Sequence, residues 1–480
     1  MKTSVSLILA AALFLPFTMQ GRSAKRGVSE NEFQYKAQLA ALDPGVCWYY
    51  NWGNTPGRYI QDEEMEFIPM CWNGNYNADA IREYVSTHPG CRYLLGFNEP
   101  NFTKQANMTP AAAAAEWPKV KALADELGLQ LVAPALNYSP NPPYQDPTKW
   151  MDEFIELVGE DAFDFMAVHS YGGFDVTKQI CTTFHERYGK PVWLTEFCLW
   201  PNEGDPNSTV SQESQTAAMM SMVEWLEKSD FIYRYAWFKA IGNSNAPKGP
   251  NYGLLLSGKG EEPRELSQQG LVYVYMPDFD SETANEINTV ISSASYSSQS
   301  GCVMNASNDS ANPLPIEISR FNGGAWAEYR FQIPQAGVYR LTLNVSGVGE
   351  PTRFDPTIGI YAVNEDGSQG TELAAPVKFT LSGSDDQYRQ QWFDIELPAG
   401  KQTIRIADTN PYGPSGIHIS TLRLADATSV ASLTMNNEER MDIFNSLGIK
   451  VGETLPDGSI PGELPDGLYI IGGEKRLMRR

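Results

Sequence analysis

Seven short apolar runs lie between residues 46 and 238 and are separated mainly by segments with helical features. The runs are rich in aromatic and β-branched residues, so they predict buried parallel strands. One intervening segment places Thr109 and Pro110 at the N-cap and first position of a helix that should end at Gly128. Repeated strand and helix segments predict an α/β fold, a (β/α)8 TIM-type barrel. The seven runs are VCWYYNW (46–52), EFIPMCW (66–72), YLLGFNEP (93–100), LQLVAPAL (129–136), FDFMAVHSY (163–171), KPVWLTEF (190–197) and IYRYAWF (232–238).

The eighth strand of the barrel is not recognisable as an apolar run. We expect it before Tyr93, in the region where the first two runs have no helix between them. The barrel domain is assigned to residues 28–278. Beyond it, residues 284–427 alternate apolar and polar residues between turns rich in Gly, Pro, Asn and Ser, which predicts a C-terminal all-β jelly-roll sandwich domain.

The N-terminal residues have the pattern of a signal peptide. An early lysine precedes an apolar stretch from Leu7 to Phe17, which is too short to span a bilayer, and small and polar residues follow it. A buried core helix is the alternative interpretation. We assign residues 1–24 to a signal peptide, which predicts an exported protein without a membrane span.

Charge and cysteine usage restrict the partners and cofactors. A formal net charge of −22 argues against nucleic acids and anionic membranes, because polyanions would be repelled, and favours a neutral substrate. Six cysteines permit disulfides, but their spacing does not choose a pairing. No Cys/His cluster has zinc-ligand spacing, so neither a metal nor another cofactor is expected.

Two of the apolar runs end in a glutamate, Glu99 in LLGFNEP and Glu196 in VWLTEF. The active site of a (β/α)8 barrel forms at the C-terminal ends of its strands. Cleavage of a glycosidic bond needs two carboxyl groups, one to donate a proton and one to attack or to activate water. A single glutamate at a strand end is more often a salt-bridge or capping partner. The pair favours catalysis, because Glu196 comes three recognised strands after Glu99.

Six ordered motifs carry a resemblance to a known family: WYYNWG, FIPMCW, LLGFNEPN, DFMAVHSYGG, PVWLTEF and YRYAWF. Together they resemble clan A glycoside hydrolases and, more specifically, glycoside hydrolase family 128, whose members are retaining enzymes on β-1,3-glucans. The resemblance implies that Glu99 is the acid/base at the end of strand four and Glu196 the nucleophile at the end of strand seven. Asn98 would bind the sugar 2-hydroxyl, and Tyr171 would orient Glu196.

The resemblance also implies that His169 lines the same wall and that Trp237 forms the floor of the −1 subsite. A structural histidine and a core tryptophan are the alternatives for these two residues. Further aromatic residues at or just past strand ends could stack on sugar rings, although each could equally be packing. These residues are Tyr50, Trp52, Trp72, Tyr138 and Trp200.

The remaining chain has two weaker resemblances. Residues 284–427 are similar to family 6 carbohydrate-binding modules but lack the acidic residue that helps such modules to hold calcium. Alternation predicts that Trp326 and Tyr329 belong to the sandwich core. Residues 430–480 look like the C-terminal sorting signals of type IX secretion.

The expected function is that of a secreted, monomeric, retaining and endo-acting β-1,3-glucanase. Two alternatives stay open at this stage. The chain could be an inactive glucan-binding protein, or a clan A hydrolase on another β-linked polymer such as mannan or xylan.

Overall fold

A computed structural model describes residues 22–426 except 32, 58–64, 203, 243–246, 257–264, 281, 348–356, 380–382 and 410–415. Four short strands beyond residue 441 are also described: β19 (Asp442–Asn445), β20 (Lys450–Glu453), β21 (Gly467–Ile471) and β22 (Glu474–Met478). Most of the signal-peptide assignment, and the sorting-tail assignment outside these strands, therefore lie outside the described residues.

The first domain contains a sheet of eight parallel strands in the order β3-β2-β1-β8-β7-β6-β5-β4. A parallel bridge between Met70 and Leu95 brings the two outermost strands together. The predicted TIM-type α/β domain is thereby confirmed. The strands are β1 (Arg26–Ser29), β2 (Trp48–Tyr50), β3 (Glu66–Phe67), β4 (Tyr93–Leu95), β5 (Gln130–Leu136), β6 (Phe165–Ser170), β7 (Val192–Phe197) and β8 (Ile232–Phe238).

Seven helices connect or follow these strands: α1 (Lys36–Leu42), α2 (Ala78–Thr87), α3 (Pro110–Leu127), α4 (Pro147–Val158), α5 (Phe174–Tyr188), α6 (Gln212–Lys228) and α7 (Gln268–Tyr275). Helix α3 has the predicted ends. The Thr109 side chain accepts a hydrogen bond from the Ala112 N–H, Pro110 is the first helical residue, and Gly128 ends the helix with a φ of 65°.

Strand β1 is the strand that the sequence pattern did not reveal. It precedes the first recognised run instead of lying between the first two runs, and it pairs with both β2 and β8. Its sequence RGVS holds a single large apolar residue, Val28. Buried Arg26 lies in the same strand, where its guanidinium pairs with Glu227 at 3.1 Å and donates to backbone carbonyls. An apolar-run criterion therefore misses this strand. With β1 counted, Glu99 follows the fourth strand and Glu196 lies in the seventh.

Aromatic side chains fill the barrel interior below the strand ends. The guanidinium of Arg234 lies over the rings of Trp48, Tyr93 and Trp193, at 5.6, 4.6 and 5.2 Å from the ring centroids. It pairs with Glu66 at 2.7 Å, so the charge inside the barrel has both a counter-ion and π faces. This layer supports the strand ends from below, because Tyr50 stacks on Trp48 with 6.2 Å between ring centroids.

The second domain is all-β, as predicted, but the predicted jelly-roll is not confirmed. Its strands are hydrogen-bonded into one ten-stranded sheet, mainly antiparallel, in the order β15-β14-β17-β12-β18-β13-β16 with β9, β10 and β11 attached. The long strand β12 pairs through residues 326–333 with β17 and near residue 318 with β18, and so joins what would otherwise be two sheets. The strands are β9 (Asn285–Glu286), β10 (Val290–Ser292), β11 (Ser298–Ala306), β12 (Ile316–Ile333), β13 (Gly337–Gly347), β14 (Thr357–Val363), β15 (Gln369–Lys378), β16 (Ser384–Leu397), β17 (Gly400–Asp408) and β18 (His418–Asp426).

The second domain packs on helices α6 and α7 of the barrel. The Ser298 hydroxyl donates to Glu224 Oε1 at 2.9 Å, and the rings of Phe279 and Tyr296 lie 5.5 Å apart. All six cysteines are free thiols, so the disulfides that the sequence permitted do not form. Within the described residues, no helix combines the length and the apolar character that crossing a membrane requires.

Candidate active site

Glu99 follows β4 in a backbone conformation that residues other than glycine rarely adopt. Its φ is 41°, and its N–H donates to the Ala135 carbonyl at 2.9 Å. The preceding residue, Asn98, donates its N–H to the Trp72 carbonyl. These two hydrogen bonds attach residues 98–99 to β5 on one side and to the segment after β3 on the other. A strained conformation that its surroundings maintain is typical of functional positions.

Glu196 reaches the site because β7 has one extra residue at Thr195 relative to the segments of β6 and β8 that pair with it. In β7, Trp193 faces the barrel interior, whereas Leu194 and Phe197 pack in the cluster outside it. Strict alternation would turn Glu196 outward with Leu194. Pairing shifts by one residue against both β6 and β8 around Thr195. Such a bulge re-aims the following side chain, here Glu196.

The two carboxylates lie close together and are nearly buried. Glu99 is 5% exposed and Glu196 is 4% exposed. One oxygen of each lies within 4.8 Å of the other, and His169 Nδ1 lies within the same distance of both. The closer contacts are 2.9 Å from His169 Nδ1 to Glu99 Oε1 and 3.3 Å to Glu196 Oε2. The chain therefore holds two carboxylates and one imidazole close enough together to act on a single bond of a substrate.

Three hydrogen-bond donors and the His169 imidazole surround the carboxylate of Glu196. Trp52 Nε1 and the Tyr50 hydroxyl donate to Oε1, at 2.7 and 3.2 Å. The Tyr171 hydroxyl donates to Oε2, which His169 Nδ1 also faces. Donors on both oxygens fix the orientation of the carboxylate and stabilise its charged form.

Burial is the largest influence on the pKa of Glu196 and raises it. The charge of His169 and the hydrogen bonds from Tyr171 and Trp52 act in the opposite direction, while the charge of Glu99 adds to the rise. Burial, followed by the charge of Glu196, raises the pKa of both Tyr50 and Tyr171 well above the usual range. Both hydroxyls therefore stay protonated and act as donors at physiological pH.

An aromatic wall continues from the carboxylates toward solvent. Phe238 is its centre, with ring centroids 5.9 Å from Trp52 and 5.4 Å from Tyr171. Trp200, which is 39% exposed, lies 5.6 Å from Tyr171 and stacks on Tyr252 with an interplanar angle of 14°. Exposed aromatic faces beside a pair of acids can bind the apolar faces of a neutral sugar.

Trp237 lies elsewhere. It is fully buried, its Nε1 donates to the Tyr252 carbonyl at 2.8 Å, and its ring packs on Phe197 and Tyr273. The structure does not bring it into the site, and Phe238 occupies the position beside Trp52 and Tyr171. Phe238 was not among the predicted site residues. Alternation in β8 could have found it, because Ala236 faces the barrel interior and Phe238 is two residues further on.

The remaining predicted residues lie near the strand ends with fewer contacts. Asn98 is buried, and its Oδ1 accepts no hydrogen bond from the described residues. Trp72 is half-buried and packs on the interior cluster, and Tyr138 is exposed. The structure thus assembles Glu99, Glu196, His169, Tyr171, Tyr50 and Trp52 into one contiguous site.

Among the residues that the structure describes, Glu99, His169 and Glu196 are the group that could present three ligand atoms to a metal. The donor set argues against that use. Trp52, Tyr50 and Tyr171 point N–H and O–H groups at Glu196, and hydrogen-bond donors there compete with a cation for the same oxygens. The expectation of a metal-free site stays a prediction.

A fold with paired glutamates at its strand ends defines a class of enzyme, the glycoside hydrolases. The family model described as glycosyl hydrolase catalytic core matches residues 27–269, and the chain belongs to this family. A curated relative, alkali-sensitive linkage protein 1 of Schizosaccharomyces pombe, is 28% identical over 239 residues, which is 48% of this chain and 41% of that protein. The chain thus spans about two fifths of the length of the curated relative it matches.

Two solved structures extend the comparison. A GH128 subgroup II endo-β-1,3-glucanase from Pseudomonas viridiflava is 34% identical, with 53% of this chain and 98% of that chain covered and a TM-score of 0.47. A GH128 subgroup V exo-β-1,3-glucanase from Cryptococcus neoformans is 25% identical, with 52% and 98% covered and a TM-score of 0.42. The expected resemblance of the catalytic domain is confirmed by the family match. The resemblances of residues 284–427 and 430–480 stay predictions.

Proposed function

We propose that the chain is a retaining hydrolase of β-1,3-glucan that acts by double displacement. The distance between Glu99 and Glu196 carries the proposal. Retaining enzymes hold their carboxyl groups about 5 to 5.5 Å apart, whereas inverting enzymes need about 6.5 to 9.5 Å to admit a water. One oxygen of each carboxylate lies within 4.8 Å of the other, which is shorter than the inverting range and supports direct attack on the anomeric carbon.

The surroundings of each carboxylate support its role. Glu196 receives donors on both oxygens, which favours the ionised form that a nucleophile requires. Within the described residues, Glu99 receives one side-chain hydrogen bond, from His169 to Oε1, so its Oε2 stays available to hold a proton. In this scheme Glu99 protonates the departing oxygen, Glu196 forms the glycosyl-enzyme, and Glu99 then activates the water that releases it.

The choice of β-1,3-glucan is supported by the six motifs and by the uncharged aromatic wall around Phe238. Both solved relatives described above are named for this linkage, one endo-acting and one exo-acting. We propose endo action, because the wall extends beyond the carboxylates through Trp200 and Tyr252. Export through the signal peptide, sorting through the C-terminal tail and a monomeric state complete the proposal.

A polysaccharide panel tests the function directly. Laminarin, curdlan, barley mixed-linkage glucan, mannan and xylan are each incubated with the full chain, and new reducing ends are measured. We expect release from laminarin or curdlan, with oligosaccharides of several lengths at early times and retained anomeric configuration by NMR. Product from mannan or xylan alone would contradict the substrate. Glucose as the sole early product would contradict endo action, and no product from any polymer would favour a binding protein.

The second domain has an exposed tryptophan on a face of its own sheet. Trp392 on β16 is 58% exposed, and Thr342 lies opposite it on β13. Beside the ring, Arg340 pairs with Asp394 at 2.7 Å and lies 5.8 Å from the Trp392 centroid. This flank has no net charge and offers polar groups around an exposed aromatic face, which suits a neutral glucan chain. We propose that this face holds the enzyme on insoluble glucan.

Replacing Trp392 by alanine tests this face. We expect binding to curdlan to weaken about tenfold, the loss of one aromatic contact. Turnover of soluble laminarin should stay within twofold of wild type. Leu157→Ala is the matched control, because Leu157 is equally exposed, at 58%, but lies on α4 of the barrel. Equal curdlan binding by wild type and Trp392→Ala would reject the surface.

A further inference from the structure

His169 is too deeply buried for the role that sequence analysis gave it. The side chain has no exposed surface. Its Nδ1 faces Glu99 Oε1 and Glu196 Oε2, and its Nε2 is buried with no hydrogen-bond partner among the described residues. A residue enclosed in this way contacts the two carboxylates and not the sugar.

The contacts determine which nitrogen carries the proton. Both atoms near Nδ1 are carboxylate oxygens, so an Nδ1–H can donate to either of them. The opposite tautomer would bury an N–H at Nε2 without an acceptor. A buried unpaired donor is costly, and unpaired donors are rarer in proteins than under-satisfied acceptors. The Nδ1–H form of His169 is therefore favoured.

A proton on Nδ1 constrains the proton on Glu99. Because Oε1 accepts the hydrogen bond from His169, the acidic proton of Glu99 must reside on Oε2. Oε2 accepts no hydrogen bond from the described residues. We propose that His169 is a positioning residue: its Nδ1–H places the transferable proton of Glu99 on Oε2 and holds Glu99 and Glu196 at the separation that double displacement requires.

The same N–H serves both halves of the reaction. In the free enzyme it is shared between two carboxyl groups. When Glu196 becomes an ester its charge is lost, and Glu99 remains as the charged acceptor. Glu99 then keeps its orientation while it acts as a base through Oε2. The inference rests on the double displacement of the proposed function but not on the identity of the polysaccharide.

The titratable groups around the imidazole come from four strand ends. Glu99 after β4 and Glu196 on β7 face the imidazole itself, whereas Cys198 after β7, Tyr171 after β6 and Tyr50 on β2 surround these two carboxylates. Burial raises the pKa of the Cys198 thiol, so this group stays neutral. Burial also opposes a charged imidazole, but Glu196 and Glu99 outweigh it and raise the pKa of His169. The Nδ1–H persists whether His169 is neutral or charged.

Two substitutions separate the donor from the bulk of the ring. In His169→Asn the Nδ2–H takes the place of Nδ1–H, so turnover should stay within about tenfold of wild type. His169→Leu keeps similar volume without a donor, and kcat/KM on glucan should fall about 10²- to 10³-fold. On an aryl glycoside with a dinitrophenolate leaving group, which needs no acid, the loss for His169→Leu should be tenfold or less.

The leaving-group comparison distinguishes positioning from the other roles. An equal loss on glucan and on the aryl glycoside would mark His169 as merely structural, and a raised KM with unchanged kcat would mark it as a sugar contact. Either result overturns the proposal. If the polysaccharide panel identifies another substrate, the His169 variants are compared on that polysaccharide and on the matching aryl glycoside. An error in the proposed substrate is then distinguished from an error in the proposed role of His169.

A spectroscopic test needs no substrate. The chain has four histidines, so ¹⁵N imidazole signals can be assigned by the one that disappears in His169→Asn. We expect His169 to remain protonated at Nδ1 from pH 5 to 8. A neutral tautomer protonated at Nε2 would overturn the inference whatever the activity. Thermal unfolding of both variants confirms that each has folded before it is assayed.

Discussion

Glu196→Gln is expected to abolish turnover, with kcat on glucan at least about 10⁴-fold below wild type. An amide cannot form the glycosyl-enzyme, and no other carboxylate than Glu99 lies within reach of the same centre in the described part of the site. The substitution should leave the site otherwise intact. Trp52 and Tyr50 can still donate to the amide oxygen, and the Tyr171 hydroxyl can rotate to accept from the amide nitrogen.

The thermal stability of the Glu196→Gln variant is a second measurement, and we expect it not to fall with the activity. Burial raises the pKa of Glu196, so the folded protein binds this proton more tightly than the unfolded chain does. As pH rises from the ordinary glutamate pKa through the raised folded-state pKa, wild type loses stability, and above that interval the full penalty of a buried charge remains. Gln carries no such penalty. At pH 7 we therefore expect Glu196→Gln to unfold at a temperature equal to or above that of wild type, with the difference shrinking at acidic pH.

The control is Glu83→Gln, a substitution of an exposed glutamate on α2. It should change neither kcat nor the unfolding temperature. If Glu196→Gln retained turnover within tenfold of wild type, Glu196 would not be the nucleophile. If it were strongly destabilised at pH 7, the residue would be part of the structural core.

The barrel and its two glutamates were predictable because their signals are local. Buried parallel strands leave continuous apolar runs, and a glutamate at the C-terminal end of such a run stands out from them. The resemblance of the motifs to a known family then assigned Glu99 to the fourth strand of the barrel and Glu196 to the seventh. The strand that escaped, β1, has one large apolar residue and buries Arg26 through contacts with Glu227 and the carbonyl of Tyr273. Burial by ion pairing has no apolar signature, so β1 is identified only by its partners in space.

The details of the site depended on side-chain direction, which a one-residue change reverses. In β8 the alternation is regular from Arg234 onward, so Phe238 faces the site and Trp237 faces away. In β7 the extra residue at Thr195 breaks the alternation and turns Glu196 inward. A bulge depends on the pairing with β6 and β8, so no pattern within VWLTEF reveals it.

The second domain shows the complementary limit. Alternation correctly placed Tyr329 in the core, where it is buried. It was wrong for Trp326, which is three residues earlier, points to the other face of β12 and is half-buried beneath the guanidinium of Arg405 at 4.0 Å. The arrangement of the strands was not predictable in the same way. Strand β12 pairs with β11, β17 and β18 along different parts of its length, and such sharing is decided by long-range contacts.

Glu99→Gln is expected to slow glucan hydrolysis about 10²- to 10⁴-fold, the usual contribution of general acid–base catalysis. The pattern of the loss matters more than its size. The first step on a dinitrophenyl glycoside needs no acid, so the glycosyl-enzyme should still form on Glu196 and accumulate because water then lacks its base. A burst of dinitrophenolate followed by slow turnover is the expected time course.

Azide should restore turnover of the Glu99→Gln variant on this aryl glycoside. Azide is already anionic and needs no base: it attacks the anomeric carbon, the bond to Glu196 breaks, and a β-glycosyl azide is released with the nucleophile regenerated as a carboxylate. Glu196→Gln is the matched control, because without the covalent intermediate azide cannot produce the β-product by this route. An α-glycosyl azide from the Glu99→Gln variant would mean that the roles of the two glutamates are exchanged. A β-glycosyl azide from the control would mean that Glu196 is not the nucleophile.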